Sequence, residues 1–317
     1  MSKICDARET AALLKEARKL VLVSHVSPDG DTLGSTLALG AALRAMGKEV
    51  ILNVDDEMPD VFKFLPGIEA FRRFSPEERI EADLLVVMDA SSADRAGNAM
   101  EVVKAPAVVN IDHHKTNTEF ADYLHLDIQA AATCEIMYTL LKEMDVPFTK
   151  EIAICLYEGL YTDTGSFKYS NTTAHTLRIA ADLLEYGVDP GVISDNMEVK
   201  KRNQIEMLGK VLKTLTFIHE GKIAYVEIGP ELYDKNVETD TFISYPRYTE
   251  GVEIAVLFKQ VEPELTRVSF RSREKDVAAL ALGFGGGGHP KAAGCSIHAP
   301  IGEAKKIVLP AVEELLS

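Results

Sequence analysis

Three things are scarce in this 317-residue chain, and each scarcity removes a class of protein. Cysteine occurs four times, at positions 5, 134, 155 and 295, with no Cys-x-x-Cys pair. A disulfide framework or a thiolate metal site needs closer, paired spacing, so a reducing compartment is expected. Long apolar runs are also missing: no stretch reaches ~18 residues, and the N-terminal MSKICDARETAALLKEARK is charged throughout, which argues against a membrane span and a signal peptide. Positive charge is the third shortage. Thirty-four Lys and Arg stand against 49 Asp and Glu, a formal net charge of −15, which opposes any partner held by a broad electrostatic field, such as long duplex DNA or an anionic membrane. A small anion at a local basic site remains compatible. Low-complexity tracts and fixed-period repeats are absent too, while 46% hydrophobic residues supply enough material for a core. A cytoplasmic globular protein is expected, and a homodimer is compatible with the sequence.

Short apolar, β-rich runs alternate with helical patterns as far as residue 190. KLVLVSH, KEVILNV, DLLVVMD and PAVVNID read as strands, and TLGSTLALGAALRAMG reads as a helix between the first two. That rhythm predicts a parallel sheet with helices on both faces. AATCEIMYTLLKEM, EIAICLYEGLYTDTG and TAHTLRIAADLLEYG follow as helices. The polar EVKKRNQIE then reads as a solvent-crossing helical connector. Beyond it FIHEGKIAYVEI, VEIAVLFKQ and LTRVSFRSR read as strands in hairpin-like order before a glycine run and a closing helix. The fold class is thus α/β: a parallel-sheet domain over 1–190, a helical linker over 191–212, and a smaller α/β domain over 213–317.

Chemistry-bearing residues gather where the predicted strands stop. VLVSHVSPDGD carries His25, Asp29 and Asp31; LLVVMDASSADRAG carries Asp89; VNIDHHKTN carries Asp112, His113 and His114. In an open parallel sheet the carboxyl ends of the strands line one crevice, so residues far apart in sequence meet there. Asp163 in LYTDTGSF ends an apolar helix, where an unpaired carboxylate is costly to bury. Taken singly, a strand-end Asp caps a helix and a Pro-Asp-Gly-Asp makes a turn. Taken together, the set reads as a metal site. Carboxylates with imidazoles and no thiolate suit Mn²⁺ or Mg²⁺, with Zn²⁺ or Co²⁺ as substitutes. So many acids call for two ions, which roughly 3.5–4 Å apart can hold a hydroxide and clamp a phosphate. Phosphoester or phosphoanhydride hydrolysis is the chemistry this favours.

HVSPDGD, VVMDASSADRAG, NIDHHKTN and YTDTGSFKYSNTT, in that order, resemble the four motifs of the DHH phosphoesterase superfamily. SFRSR and FGGGGHPKAAG resemble its DHH-associated substrate domain. The resemblance runs from about 20 to 300 and is nearest the nano-RNase type, bacterial enzymes acting as oligoribonucleases and as 3′-phosphoadenosine-5′-phosphate phosphatases. It implies that His25, Asp29 and Asp89 bind one Mn²⁺ while Asp31, Asp89, His113 and Asp163 bind the other. It further implies that Asp112 orients a histidine and that His114 contacts the scissile phosphate or assists the leaving group. Arg271, Arg273, Gly286, Gly287, Gly288, His289 and Lys291 would hold a nucleotide phosphate, the glycines by presenting backbone N–H groups. Arg273 stands where much of the family is expected to carry Lys. The implied substrates are short single-stranded RNA, dinucleotides and 3′-phosphoadenosine-5′-phosphate, with cyclic or linear dinucleotide phosphodiesterase and family II inorganic pyrophosphatase as alternative activities.

Overall fold

The computed structural model describes residues 2–316 and divides into two compact units, one ending at Val199 and the other beginning at Lys200. In the first, seven strands form one sheet: β1 (Lys3–Ile4), β2 (Lys19–Ser24), β3 (Glu49–Asn53), β4 (Phe71–Arg72), β5 (Leu84–Met88), β6 (Val108–Asp112) and β7 (Tyr123–Leu126). Their spatial order is β1-β7-β6-β5-β2-β3-β4, and every pairing is parallel. The central β2 and β5 are buried along almost their whole length, which is why they read as unbroken apolar runs rather than alternating ones.

Alternate residues of these strands feed two cores. Leu20, Leu22, Val86, Met88, Val109 and Ile111 pack against long helices, whereas Val21, Val23, Leu85 and Val87 pack against Ala96, Ala99 and Val102 from short helical turns. The long helices are α1 (Ala7–Glu16), α2 (Gly30–Ala45), α3 (Thr133–Glu143), α4 (Lys150–Asp163), α5 (Ala174–Glu185) and α6 (Pro190–Glu198). Helix α2 is buried nearly all round, so it carries no polar face; its amphipathic neighbours α1 and α5 do.

Two glycines set how closely α2 and α4 approach. A Cβ on Gly34 would lie 2.3 Å from the Cys155 carbonyl oxygen, and one on Gly159 would lie 2.3 Å from Cys134 Sγ and 3.0 Å from Asp31 Oδ1. The Gly34 contact is with backbone and admits no side chain, and a side chain at Gly159 would displace those of Cys134 and Asp31. This close approach brings the first turn of α2 against the latter half of α4, and those segments carry Asp29, Asp31 and Asp163.

The second unit opens with α7 (Arg202–Val211), after Val199–Lys201, which lie outside both flanking helices. Its six-stranded sheet contains β8 (Thr216–Ile218), β9 (Ile223–Ile228), β10 (Ile254–Glu262), β11 (Leu265–Ser272), β12 (Gly287–His289) and β13 (Ala292–Ile297), in the order β8-β9-β10-β11-β13-β12. FIHEGKIAYVEI is a hairpin, β8 and β9, rather than one strand. The next pair departs from hairpin order: β9 and β10 run parallel, which their long connection through residues 229–253 permits. Helices α8 (Val277–Gly283) and α9 (Ile301–Glu314) complete the unit, packing Val277, Ala281, Ala304, Val308 and Val312 on the sheet residues Val256, Phe258 and Phe270.

Candidate metal centre

Each strand end delivers its residue through a distinct local device. His25 follows β2 directly, and Asp29 caps α2, its Oδ1 accepting from the amides of Asp31 and Thr32 at 3.1 Å each. Asp31 lies one residue inside that helix. Asp89 follows β5 with φ of +55°, a left-handed conformation unusual for a non-glycine residue, and its amide donates to the Ile111 carbonyl at 2.8 Å. Asp112 ends β6, and Asp163 ends α4.

The structure brings these side chains together. His25, Asp29 and Asp89 each offer a ligand atom within 4.8 Å of the other two; so do Asp31, His113 and Asp163, and so do Asp89, His113 and His114. His25 Nε2 lies 3.6 Å from Asp29 Oδ2 and 3.4 Å from Asp89 Oδ2. His113 Nε2 lies 3.5 Å from Asp89 Oδ1, 3.3 Å from Asp163 Oδ2 and 3.9 Å from Asp31 Oδ2. Asp89 therefore turns one oxygen toward each histidine.

These separations fit a divalent cation. They exceed the ~2.9 Å of a good N–H···O bond, whereas donors each about 2.1 Å from a shared ion stand about 3–3.5 Å apart. The donor set is imidazole and carboxylate with no thiolate; Cys134 Sγ instead contacts the Asp31 carbonyl oxygen at 3.6 Å. No lysine or arginine forms an ion pair with Asp29, Asp31, Asp89 or Asp163 among the described residues.

Protonation shows the same shortage of positive charge. Burial pushes Asp31 well above the usual carboxylate range, and the charges of Asp89 and Asp163 push it further. Burial also raises Asp163, with Asp89 adding to it and His113 opposing. For His25, burial alone would lower the value, but the carboxylates of Asp29 and Asp89 outweigh it and bring the imidazole to about 10. His113 reaches about 10 likewise, against burial, through Asp163, Asp31 and Asp89. In the metal-free protein, protons on these imidazoles supply part of the charge a cation would otherwise provide.

Asp112 and His114 form a separate pair. Asp112 is fully buried and accepts from the His113 amide at 2.8 Å, from Asn117 Nδ2 at 2.6 Å and from His114 Nδ1 at 2.7 Å. Burial opposes its ionisation, but His114 and Asn117 outweigh that and hold it below the usual range. The Asp112 hydrogen bond raises His114 in return. With Nδ1 engaged and the side chain 41% exposed, the other ring nitrogen of His114 takes no part in the Asp112 hydrogen bond.

Several supporting residues carry no signal in the sequence. Thr133 and Cys134 amides donate to Asp31 Oδ2 and Oδ1 at 2.6 and 2.8 Å, so this carboxylate also caps α3, and Thr133 Oγ1 donates to Asp89 Oδ1 at 2.9 Å. His25 Nδ1 lies 2.8 Å from the Val26 carbonyl and 2.9 Å from Arg95 Nη2. One ring nitrogen cannot donate to a carbonyl and accept from a guanidinium at once, so these contacts belong to alternative tautomers. The Val26 contact is the one that leaves an Nε2 lone pair for a metal.

In the second unit, Arg271 on β11 and His289 on β12 both pair with Ala292 on β13. Directly opposed residues share a face of a sheet, so Arg271 and His289 flank Ala292 on one side. Strand β11 ends at Ser272, and Arg273, just beyond it, donates from Nη2 to the Thr249 carbonyl at 3.4 Å. The glycine run is partly strand rather than open loop. A Cβ on Gly286 would meet the Gly294 carbonyl oxygen at 2.1 Å, and one on Gly288, whose φ is +142°, would meet that of Ala292 at 2.5 Å. Those two glycines allow close strand packing, while Gly287 faces open space and Lys291 is exposed in the turn. Gly286 also borders a recess of about 640 Å³ with Lys259, Arg267, Ser269 and His298, none of which stands out in the sequence.

Residues 19–160 match the DHH family, N-terminal domain, and residues 220–317 match the DHHA1 domain. The bifunctional oligoribonuclease and PAP phosphatase NrnA of Thermus thermophilus is 36% identical over 317 residues, covering 98% of this chain and 94% of that protein. The chain belongs to the DHH family. The Bacillus subtilis protein of the same name is 28% identical over 287 residues, 88% of this chain and 89% of its own. The crystal structure of an exopolyphosphatase-related protein from Bacteroides fragilis superimposes with a TM-score of 0.85 at 27% identity, covering 97% of this chain and 95% of that one. DHH phosphoesterases are metal-dependent, and the His and Asp clusters of this DHH chain are suited to that requirement.

The pH dependence of stability follows from the shifts. His25 and His113 bind protons more tightly when folded, at about 10, than at their usual 6.5, so their contribution is complete below about pH 6.5 and is lost as pH rises through about 10. Glu158, which burial and the charges of Asp29 and Asp163 hold at about 8 instead of 4.5, acts in the same direction at lower pH. Metal-free protein is thus expected to lose thermal stability from neutral to alkaline pH, and saturating Mn²⁺ to reduce that loss. Melting curves across this range, with chelator and with Mn²⁺, measure it; a metal-free midpoint that rises with pH would contradict the assignment.

Proposed function

We propose that this chain is a divalent-metal-dependent phosphoesterase that hydrolyses very short oligoribonucleotides to mononucleotides and 3′-phosphoadenosine-5′-phosphate to AMP. The observation that carries the reading is Asp89, a buried carboxylate whose two oxygens face two histidines in two adjoining clusters. The names of the Thermus thermophilus and Bacillus subtilis relatives support the substrate class.

His25, Asp29 and Asp89 would hold one ion, and Asp31, Asp89, His113 and Asp163 the other, with Mn²⁺ the preferred metal and Mg²⁺ or Co²⁺ as substitutes. Bound there, such ions supply positive charge to phosphoryl oxygens and make a water more acidic. The protein's own groups do the rest. Asp112 fixes the His114 ring through Nδ1, so that its other nitrogen can hold a proton near a leaving oxygen and then give it up. Asp112 is a positioning residue in this scheme and His114 a catalytic one. Arg271 and His289, sharing one sheet face, bind a nucleotide phosphate with the backbone of Gly286–Gly288 and with Arg273 and Lys291 nearby in sequence. The four free, buried cysteines suit a cytoplasmic location, and no described helix is long and apolar enough to cross a membrane.

Asp89→Ala should lower turnover by about 100-fold or more while the protein stays folded, because one substitution removes a donor from both clusters. Steady-state rates with saturating Mn²⁺ and circular dichroism measure this, and a folded variant with near-normal turnover would end the shared-carboxylate scheme.

Substrate length gives an independent check. With a net charge of −15 and only local cations, the chain should cleave oligomers of about two to five nucleotides fastest, with rates falling steeply beyond. A ladder of single-stranded RNAs at fixed salt tests this; equal rates on a dinucleotide and a ~25-mer would refute the short-substrate reading.

The two units' roles separate through Arg271 and His289. Replacing either with Ala should weaken turnover of a dinucleotide by ~10- to 1000-fold, as expected for a lost charge-assisted contact. A small activated diester lacking the second nucleotide should be cleaved at nearly the original rate. Equal losses on both substrates would mean that these residues support the fold or the metal centre.

A further inference from the structure

Glu158 lies in α4, five residues before Asp163, and is fully buried. Neither carboxylate oxygen has a hydrogen-bond partner. The neighbouring Thr162 hydroxyl is engaged elsewhere, since its Oγ1 donates to the backbone carbonyls of Glu158 and Gly159 at 3.1 Å each. The side chain reaches toward the first turn of α2. A Cβ on Gly30, between Asp29 and Asp31, would lie 2.4 Å from Glu158 Oε2 and 2.5 Å from Thr162 Oγ1. The carboxylate thus occupies space that any residue but glycine at position 30 would fill, directly behind two acids of the candidate centre.

A charged carboxylate cannot remain in such a place without a nearby cation, and a neutral one still leaves its polar atoms unsatisfied. No lysine or arginine is paired with it among the described residues. The positive charge that the surrounding chemistry calls for is the one that Asp29 and its partners are arranged to hold. We propose that Glu158 is a further carboxylate of the metal centre, carrying its charge against the divalent ion beside Asp29 and tightening the binding of that ion.

This inference rests on the metal reading above, and one titration distinguishes their failures. Metal-stripped wild-type protein, Glu158→Gln and Glu158→Leu are titrated with Mn²⁺ alone by calorimetry, after circular dichroism has established that each is folded. Gln keeps the shape and removes the charge; Leu also removes the unsatisfied polar atoms. Both variants are expected to bind Mn²⁺ about tenfold or more weakly, since a full charge near a divalent ion in a buried site has been lost. Glu158→Leu is further expected to melt no lower than wild type without metal. Wild-type affinity in both folded variants would overturn the proposal and leave the metal centre standing. A wild type that does not bind Mn²⁺ would overturn both readings. Variants that fail to fold with or without Mn²⁺ would also overturn it, because the carboxylate would then serve packing.

Discussion

Everything at the candidate centre follows from crowding several carboxylates into a space that water hardly reaches. Asp31 is fully buried and Asp89 is 2% exposed, so their mutual repulsion is poorly screened. Positive charge must come from somewhere, and the metal-free protein takes it as protons on His25 and His113. A divalent ion would displace those protons and occupy the same donor atoms. Proton and metal therefore compete for one electrostatic vacancy, which makes metal binding a source of stability as well as of chemistry.

The fold maintains this arrangement through rigid parts at the acids' backs. Three strand ends place His25, Asp89 and the Asp112–His114 segment on one edge of a parallel sheet. The fourth contribution, Asp163, comes from a helix, and its position depends on how closely α4 can approach α2. Gly34 and Gly159 permit that approach by having no side chain to interpose. The amides of Thr133 and Cys134 then clamp Asp31 from the start of α3. Helix N-terminal N–H groups stabilise an anion without adding a competing cation, which keeps the carboxylate available.

How much of this was legible in the sequence depends on what kind of contact is involved. Strands β2 and β5 announce themselves because burial on both faces requires unbroken apolar runs, and polar residues at their ends then stand out. Side chains whose chemistry is rare in a core, such as His25, Asp89 and His113, are readable for the same reason. Contacts made by backbone amides leave no residue-type signature, so nothing in the sequence marks Thr133 and Cys134, and Arg95 lies within VVMDASSADRAG without being singled out by it. Glu158 sits in a helix that reads as apolar, and nothing singles it out until the packing of α2 against α4 is known. In the second unit, strand direction was not encoded locally: the β9–β10 pairing is decided by the intervening chain, while the glycine run looks like a loop although Gly286 and Gly288 are spaced for strand contact.

The same electrostatics bears on what the chain can accept. A surplus of acids gives the protein a repulsive far field for nucleic acid, so attraction has to arise at contact distance. Arg271 and His289 are set by register on either side of Ala292, two strands apart on one face of the sheet, which gathers potential donors to a phosphate locally rather than along a track. In the proposed reading, a site of that kind would gain most from the first phosphate it meets. Extra nucleotides would then add repulsion from the surplus acids and ordering entropy. On the proposed reading, short substrates would be favoured by the distribution of charge itself, independently of any steric limit on length.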